Sequence, residues 1–281
     1  MLLYSTWGIK GVGEKMMKIM HITDLHFGYH RQDIIEPFLN DVARLKPDYV
    51  IVSGDLTHRG KNEQYLELMD FLQRIRAQVI IVPGNHDVPW NNLIARAFYP
   101  YWRYKRYVAE LFPQQIETSE LTIYGINTVN PLYIKDGIMR RSALNRLSRF
   151  MRKNSDKRNL VFLHHNFDYI AGLHKPLRHY QKFVRYLKNS PIHMVFTGHL
   201  HYANITILEK NDHKPCLLLH GGSLLCQRSK DKKNSYYFIE LDGSQCAIQW
   251  RVFGENQFTT QQHFDTDFSQ NSKGQQVNFV A

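Results

Sequence analysis

No run of about 18 or more apolar residues occurs anywhere in this 281-residue chain, so a membrane-spanning helix is not expected. The opening stretch MLLYSTWGIKGVGEKMM has neither an apolar central region nor a small-residue cleavage site. It does not read as a signal peptide, and a cytoplasmic location is the default expectation. Cysteine is scarce. The three thiols Cys216, Cys226 and Cys246 form an odd set with no C-x-x-C spacing, which argues against a disulfide framework or a thiolate metal site and for ordinary buried thiols. Acidic residues are also in deficit, 25 against 36 Lys and Arg, for a net charge of +11. A basic surface attracts polyanions such as nucleic acid, nucleotides or anionic lipid headgroups, and charge alone does not choose among them.

What the chain does contain is five short runs that place metal-binding side chains at the exits of apolar stretches. They are Asp24 and His26 in ITDLH, Asp55 in SGDLTH, Asn85 and His86 in PGNHD, His164 in FLHH, and His199 and His201 in TGHLH. The stretches before them, KIMHIT, YVIVSG, VIIVPG, LVFLH and HMVFTG, read as buried strands. Helical periodicity lies between the first three, in Ile35, Phe38, Leu39, Val42 and Leu45 and then in Tyr65, Leu66, Met69, Leu72 and Ile75. Strand-helix-strand repetition predicts parallel pairing, and ligands in open α/β sheets gather at the carboxyl ends of the strands. Sequence-distant runs can therefore converge on one site. Carboxylate, imidazole and amide donors without thiolate suit Mn, Fe or Zn. If two ions share the set, one carboxylate must bridge. Asp55 is the candidate, as the sole ligand in its run and the residue after Gly54, which permits close backbone approach. Such a pair suits phosphoester hydrolysis by metal-bound hydroxide.

These blocks make the chain resemble the calcineurin-like metallophosphoesterase superfamily, whose pattern is D-x-H, G-D, G-N-H-[DE], H and G-H-x-H in that order. The resemblance spans roughly residues 18–225, and five ordered blocks are far more specific than one motif. It implies a four-layer α/β/β/α sandwich of two mixed sheets, with a dinuclear centre at the strand ends. One metal would have Asp24, His26, Asp55 and His201, the other Asp55, Asn85, His164 and His199. His86 would face substrate and assist the leaving oxygen, with Asp87 helping to orient it. Of the adjacent pair the resemblance favours His164 as the ligand, leaving His165 to touch substrate or orient its neighbour. His21 reads as a core histidine. His58 and Arg59 read either as the pocket mouth or as a solvated turn.

Residues 1–17 read as an N-terminal extension, with Met16 or Met17 as an alternative start. Residues 18–253 read as the catalytic domain, and 254–281 as a polar tail rich in Gln, Asn, Ser and Thr. CLLLHGGSLLC, SYYFIELD and AIQWRVFG read as strands of a second sheet packed on the first, with Asp242-Gly243 marking a hairpin. Two basic aromatic segments are placed to overhang the site. Residues 97–112 read either as a lid, with Arg103 and Arg106 clamping phosphate and Tyr101, Trp102 or Tyr104 stacking on a base, or as an amphipathic helix. Residues 174–189 read as a crossover helix anchored by Leu177, Phe183, Val184 and Leu187. The leading expectation is a phosphodiesterase on a small substrate such as a cyclic nucleotide, because the blocks look most like the bacterial cyclic-nucleotide phosphodiesterase branch. A nuclease, a lipid-intermediate pyrophosphohydrolase and, last, a non-catalytic scaffold are the alternatives.

Overall fold

The computed structural model describes residues 16–90, 92–170 and 172–271. Each apolar stretch named above becomes a strand. In chain order the elements are β1 (Met17–Ile22), α1 (Ile35–Leu45), β2 (Tyr49–Val52), α2 (Asn62–Gln73), β3 (Gln78–Ile81), α3 (Leu93–Phe98) and α4 (Trp102–Tyr104), which runs into a π-helical turn over Lys105–Ala109. There follow β4 (Gln115–Glu117), β5 (Leu121–Ile126), α5 (Arg141–Lys153), β6 (Arg158–Leu163), α6 (Tyr180–Leu187) and β7 (Ile192–Thr197). The chain closes with β8 (Asn204–Glu209), β9 (Pro215–His220), β10 (Ser235–Asp242), β11 (Gln245–Gly254) and β12 (Gln257–Asp267).

These strands form two six-stranded mixed sheets, ordered β12-β11-β10-β1-β2-β3 and β4-β5-β6-β7-β9-β8. Alternation along each strand divides the side chains among three cores. Ile19, Ile51 and Ile80 point between the sheets and meet Leu160, Phe162, Met194 and Phe196. Their neighbours Met20, Val50, Val52 and Ile81 pack on Phe38 and Val42 of α1 and Leu68 and Leu72 of α2. On the other outer face Val161, Leu163 and Val195 pack on Leu147 and Met151 of α5 and Phe183 and Leu187 of α6. Strands buried on both faces explain why these runs are apolar throughout rather than alternating. The architecture is the α/β/β/α sandwich, and no helix among the described residues is long and apolar enough to cross a membrane.

Two expectations need correction. SYYFIELD and AIQWRVFG do not build the second sheet: β10 pairs antiparallel with β1 and extends the first sheet, while CLLLH, as β9, lies parallel to β7 in the second. Apolar pattern identifies a strand but not its neighbour. The supposed polar tail is also partly structural. Residues 257–267 pair along β11 as an edge strand, and Phe258 is 4% exposed against Phe38 and Tyr236. An edge strand with one solvated face needs only occasional apolar side chains, so its Gln and Thr content resembled a tail. Residues 272–281 and 1–15 lie outside the described residues.

Candidate metal centre

Beyond the last residues of β1 and β2 the two chains stay side by side. The Asp24 N–H donates to Gly54 O (3.1 Å) and the His26 N–H to Asp55 O (2.9 Å). Turning the side chains inward there takes an unusual backbone. Asp24, His26, Asp55, His199 and His201 all have φ between 50° and 70°, a left-handed region that costs a non-glycine residue roughly 1–2 kcal/mol. Strain repeated at five sites in one cluster is characteristic of function. Close approach is the other requirement. A Cβ on Gly84 would lie 2.1 Å from Asp55 Oδ1, and one on Gly54 would lie 2.7 Å from the Gly84 nitrogen, so both positions must stay bare.

Two donor clusters result. In the first, Asp24, His26, Asp55 and His201 present ligand atoms all within 4.8 Å of one another. His26 Nε2 lies 3.2 Å from His201 Nε2 and 3.5 Å from Asp55 Oδ2, and His201 Nε2 lies 3.1 Å from Asp24 Oδ1. Donors about 2.0–2.1 Å from a common ion have spacings of this order. In the second, His164 Nε2 lies 3.2 Å from Asp55 Oδ1 and 3.1 Å from Asn85 Oδ1. The His199 ring lies 5.1 Å from that of His164. The two oxygens of Asp55 thus face different clusters.

Backbone carbonyls fix the imidazoles. The Nδ1–H groups of His201, His164 and His86 donate to Arg228 O (2.6 Å), Ser53 O (2.8 Å) and His58 O (2.7 Å). Each ring therefore turns a lone pair on Nε2 into the site. The Asn85 amide donates to Ile134 O (3.1 Å), which points its oxygen inward. Acceptor atoms thus face one another, as between His201 Nε2 and Asp24 Oδ1 or His164 Nε2 and Asn85 Oδ1, an arrangement satisfied either by a proton on the imidazole or by a metal ion between the donors. Electrostatics agree. Burial would raise the Asp24 and Asp55 carboxyls, yet His201 and His164 respectively hold them well below the usual range. Burial would likewise depress His164, but Asp55 lifts it to about 9. His201 is likewise raised by Asp24, whereas burial presses His26 and His199 down and keeps them neutral; the two buried carboxylates are thus short of positive charge, which divalent ions would supply. The donors fit two such ions.

His86 sits beside this centre with its ring stacked on Trp90 (5.8 Å) and His58 (5.7 Å). Asp87 does not orient it, contrary to expectation. The Asp87 carboxylate instead accepts from the N–H groups of Leu56 (3.1 Å), Thr57 (2.8 Å) and Gly84 (2.8 Å), and so ties the GNHD turn to the segment after Asp55. Orientation of His86 falls to the His58 carbonyl. His165 lies within ligand range of His164 and His199. It is 1% exposed, bonded to Thr128 Oγ1 at 2.8 Å and packed against the His199 ring at 4.7 Å. His21 is a core histidine, bonded to Ser53 Oγ at 2.8 Å and driven down to about 3 by burial.

The arginines and the lid expected over the site lie elsewhere. Arg103 donates to Asn62 Oδ1 and Gly60 O, both at 3.0 Å, and covers the Trp102 ring, so its guanidinium is spent on holding α4 to the loop before α2. Arg106 lies over Tyr107, and Arg59 is exposed. Tyr104 and Val108 enter the core beside α2, and Tyr107 stacks on Tyr65 at 5.5 Å, so the later half of residues 97–112 packs as a buttress on α2, while Phe98, Tyr99 and Leu111 stay exposed. The cavity over the metal centre, of about 340 Å³, is walled instead by Lys135, His174, Arg228 and Lys230. His174 opens the 174–189 segment expected to overhang the site, whereas Lys135, Arg228 and Lys230 escaped sequence reading because two further loops supply them. Cys226, a buried free thiol, comes within ligand range of His26 and His201.

A model of the calcineurin-like phosphoesterase family matches residues 17–203, which include all five blocks. A probable glycerophosphodiester phosphodiesterase GpdQ from Arcobacter nitrofigilis is 26% identical over 215 residues, covering 69% of this chain and 75% of that protein. A probable cyclic nucleotide phosphodiesterase from Vesicomyosocius okutanii is 24% identical over 199 residues, covering 66% and 78%. Among solved structures, purple acid phosphatase PPD1 from yellow lupin superposes with a TM-score of 0.65 at 12% identity, covering 90% of this chain and 54% of its own, a likeness of fold. With the family match spanning most of the chain and the ordered blocks meeting in one cluster, this protein belongs to the calcineurin-like phosphoesterases and is a phosphoester hydrolase.

Proposed function

We propose that the protein is a dinuclear-metal phosphodiesterase acting on a small nucleotide-like substrate. The observation that carries this reading is the Asp55 carboxylate, with Oδ2 facing His26 and Oδ1 facing His164. Asp24, His26, Asp55 and His201 would hold one ion; Asp55, Asn85, His164 and His199 the other. Two Mn, Fe or Zn ions would polarise the phosphoryl oxygens and lower the pKa of a bound water. The remaining work belongs to side chains. His86 lines the cavity and, with Nδ1–H committed to His58 O, can carry a second proton only on Nε2. From there it is placed to protonate the leaving oxygen, as general acid catalysis requires. Relatives named as glycerophosphodiester and cyclic nucleotide phosphodiesterases support diester cleavage over monoester cleavage. Three buried free thiols suit a reducing cytoplasm.

The test is hydrolysis of bis-p-nitrophenyl phosphate and p-nitrophenyl phosphate by metal-stripped protein, before and after adding Mn, Fe or Zn. Diester cleavage restored by metal, and faster than monoester cleavage, supports the proposal. Metal-independent turnover, or strict monoester preference, overturns it.

A further inference from the structure

The walls of the cavity over the metal centre carry more positive charge than a simple phosphodiester can use. Two divalent ions against Asp24 and Asp55 leave a positive surplus that one singly charged diester and the attacking oxygen already offset. Beyond it stand Lys135, Arg228 and Lys230; among the described residues that line the cavity Asp55 is the only carboxylate, with Asp136 close enough to act on His174. Among the described residues none of the three cations forms an ion pair with a carboxylate. The side chain of Arg228 donates to the Tyr29 hydroxyl and lies over its ring. The nearby Asp231 is turned away, accepting the Ala203 and Lys233 N–H groups.

These cations are not on free loops. The loop bearing Arg228 and Lys230 is bound to one metal-site histidine from both sides: Arg228 O accepts from His201 Nδ1 (2.6 Å), and the Lys230 N–H donates to His201 O (2.9 Å). The loop bearing Lys135 is bound to the other half of the centre, because Ile134 O accepts from the Asn85 amide (3.1 Å). A third loop brings His174 to the rim, held by Asn166 Nδ2 donating to His174 O (3.2 Å) and by the Asp168–His220 pair (2.9 Å). The backbones of both cation-bearing loops are therefore tied to residues of the metal centre, and the three cationic side chains are exposed to solvent around one cavity. A volume of about 340 Å³ lies at the small end of ligand pockets.

Resting on the phosphodiesterase reading, we infer that the preferred substrate is a small phosphodiester carrying a second phosphate group beside the scissile one, which the cavity's Lys135, Arg228 and Lys230 receive. Charge-assisted contacts to that group provide selection that the metal centre, which sees only the scissile phosphate, cannot.

A matched pair tests this: the p-nitrophenyl ester of thymidine 5′-phosphate with and without a 3′-phosphate. The scissile bond and leaving group are the same in both. Wild-type protein should show kcat/KM about 10- to 100-fold higher on the 3′-phosphorylated compound, an advantage that shrinks in high salt. In Lys135→Ala and Lys230→Ala the ratio should collapse toward one, with unaltered thermal stability. Calorimetry on the metal-stripped protein gives an activity-free readout, in which thymidine 3′,5′-bisphosphate should bind more tightly than thymidine 5′-phosphate and lose that margin in both variants. Equal kcat/KM on the two esters in wild type, or a ratio untouched by the variants, overturns the inference while leaving the phosphodiesterase reading intact. Rates that climb steadily with oligonucleotide length overturn the small-substrate part and favour a nucleic acid. Failure to cleave either ester with any metal defeats the phosphodiesterase reading instead, and the calorimetric comparison then decides the anion site alone.

Discussion

His201 illustrates how much the centre asks of single residues. It is a proposed ligand, it holds the Arg228 and Lys230 loop, and its φ of 51° is one that an L-residue adopts at a cost. Replacing it by Ala or by Gly removes the imidazole equally, so the difference between the two variants isolates backbone strain. Metal-free His201→Gly should be more stable than His201→Ala by about 1 kcal/mol in urea denaturation; equal midpoints would mean that the turn is unstrained. His86 is the residue whose chemistry is most sharply defined. His86→Ala should retain both metal ions yet lose about 100-fold in kcat on diesters with alkoxide leaving groups, and far less on p-nitrophenyl esters, which leave without a proton. Equal losses on both would remove the acid role and leave only charge stabilisation.

At the level of elements, the edge strand β12 is part of the domain. Phe258 closes the core over Phe38 and Tyr236, and beside it the Arg251 guanidinium bonds Asp41, the Tyr236 hydroxyl and Phe258 O. Phe258→Ala should cost about 3–5 kcal/mol in equilibrium unfolding; a loss below about 1 kcal/mol would return these residues to the status of a tail. The same strand shows where sequence reading ends. Strands buried on both faces announce themselves by composition, which is why β1, β2, β3, β6 and β7 and the donors at their exits were legible. The Gln- and Thr-rich β12 is held by its ladder with β11, and ladder partners leave no local mark. Sheet membership of β10 and β11 was hidden for the same reason. In residues 97–112 the density of Arg and Tyr suggested a lid, whereas the spacing of Tyr104 and Val108, one turn apart and both buried, is that of a helix facing a core. The cations that do reach the cavity, Lys135 from one loop and Arg228 and Lys230 from another, come from segments where no periodicity marks them.

For the whole molecule, the end of the sandwich remote from the metals sets an acid limit on stability. His193 lies at the start of β7, its ring against Phe268 and its Nδ1 accepting the Asn159 N–H (3.1 Å). Burial, then the charges of Arg158, Lys210 and Lys214, press it from the ordinary 6.5 down to about 3. The native state keeps this ring neutral where the unfolded chain takes up a proton. Its contribution is therefore complete above about pH 6.5 and is lost progressively as pH falls toward 3. His193→Asn, which keeps an acceptor for Asn159, should flatten the fall in stability by about 1 kcal/mol per pH unit below 6.5. An unchanged slope would show that other groups carry the acid sensitivity.

All three scales meet in the claim that one carboxylate joins two ions. The most direct measurement is a titration of metal-stripped protein with Mn or Zn, following bound metal and bis-p-nitrophenyl phosphate hydrolysis together. Wild type is expected to bind two ions per chain and to reach full activity only at the second equivalent, while Asp55→Asn weakens both positions at once. Full activity at a single equivalent, or an Asp55→Asn variant that keeps two tightly bound ions, would contradict the dinuclear centre.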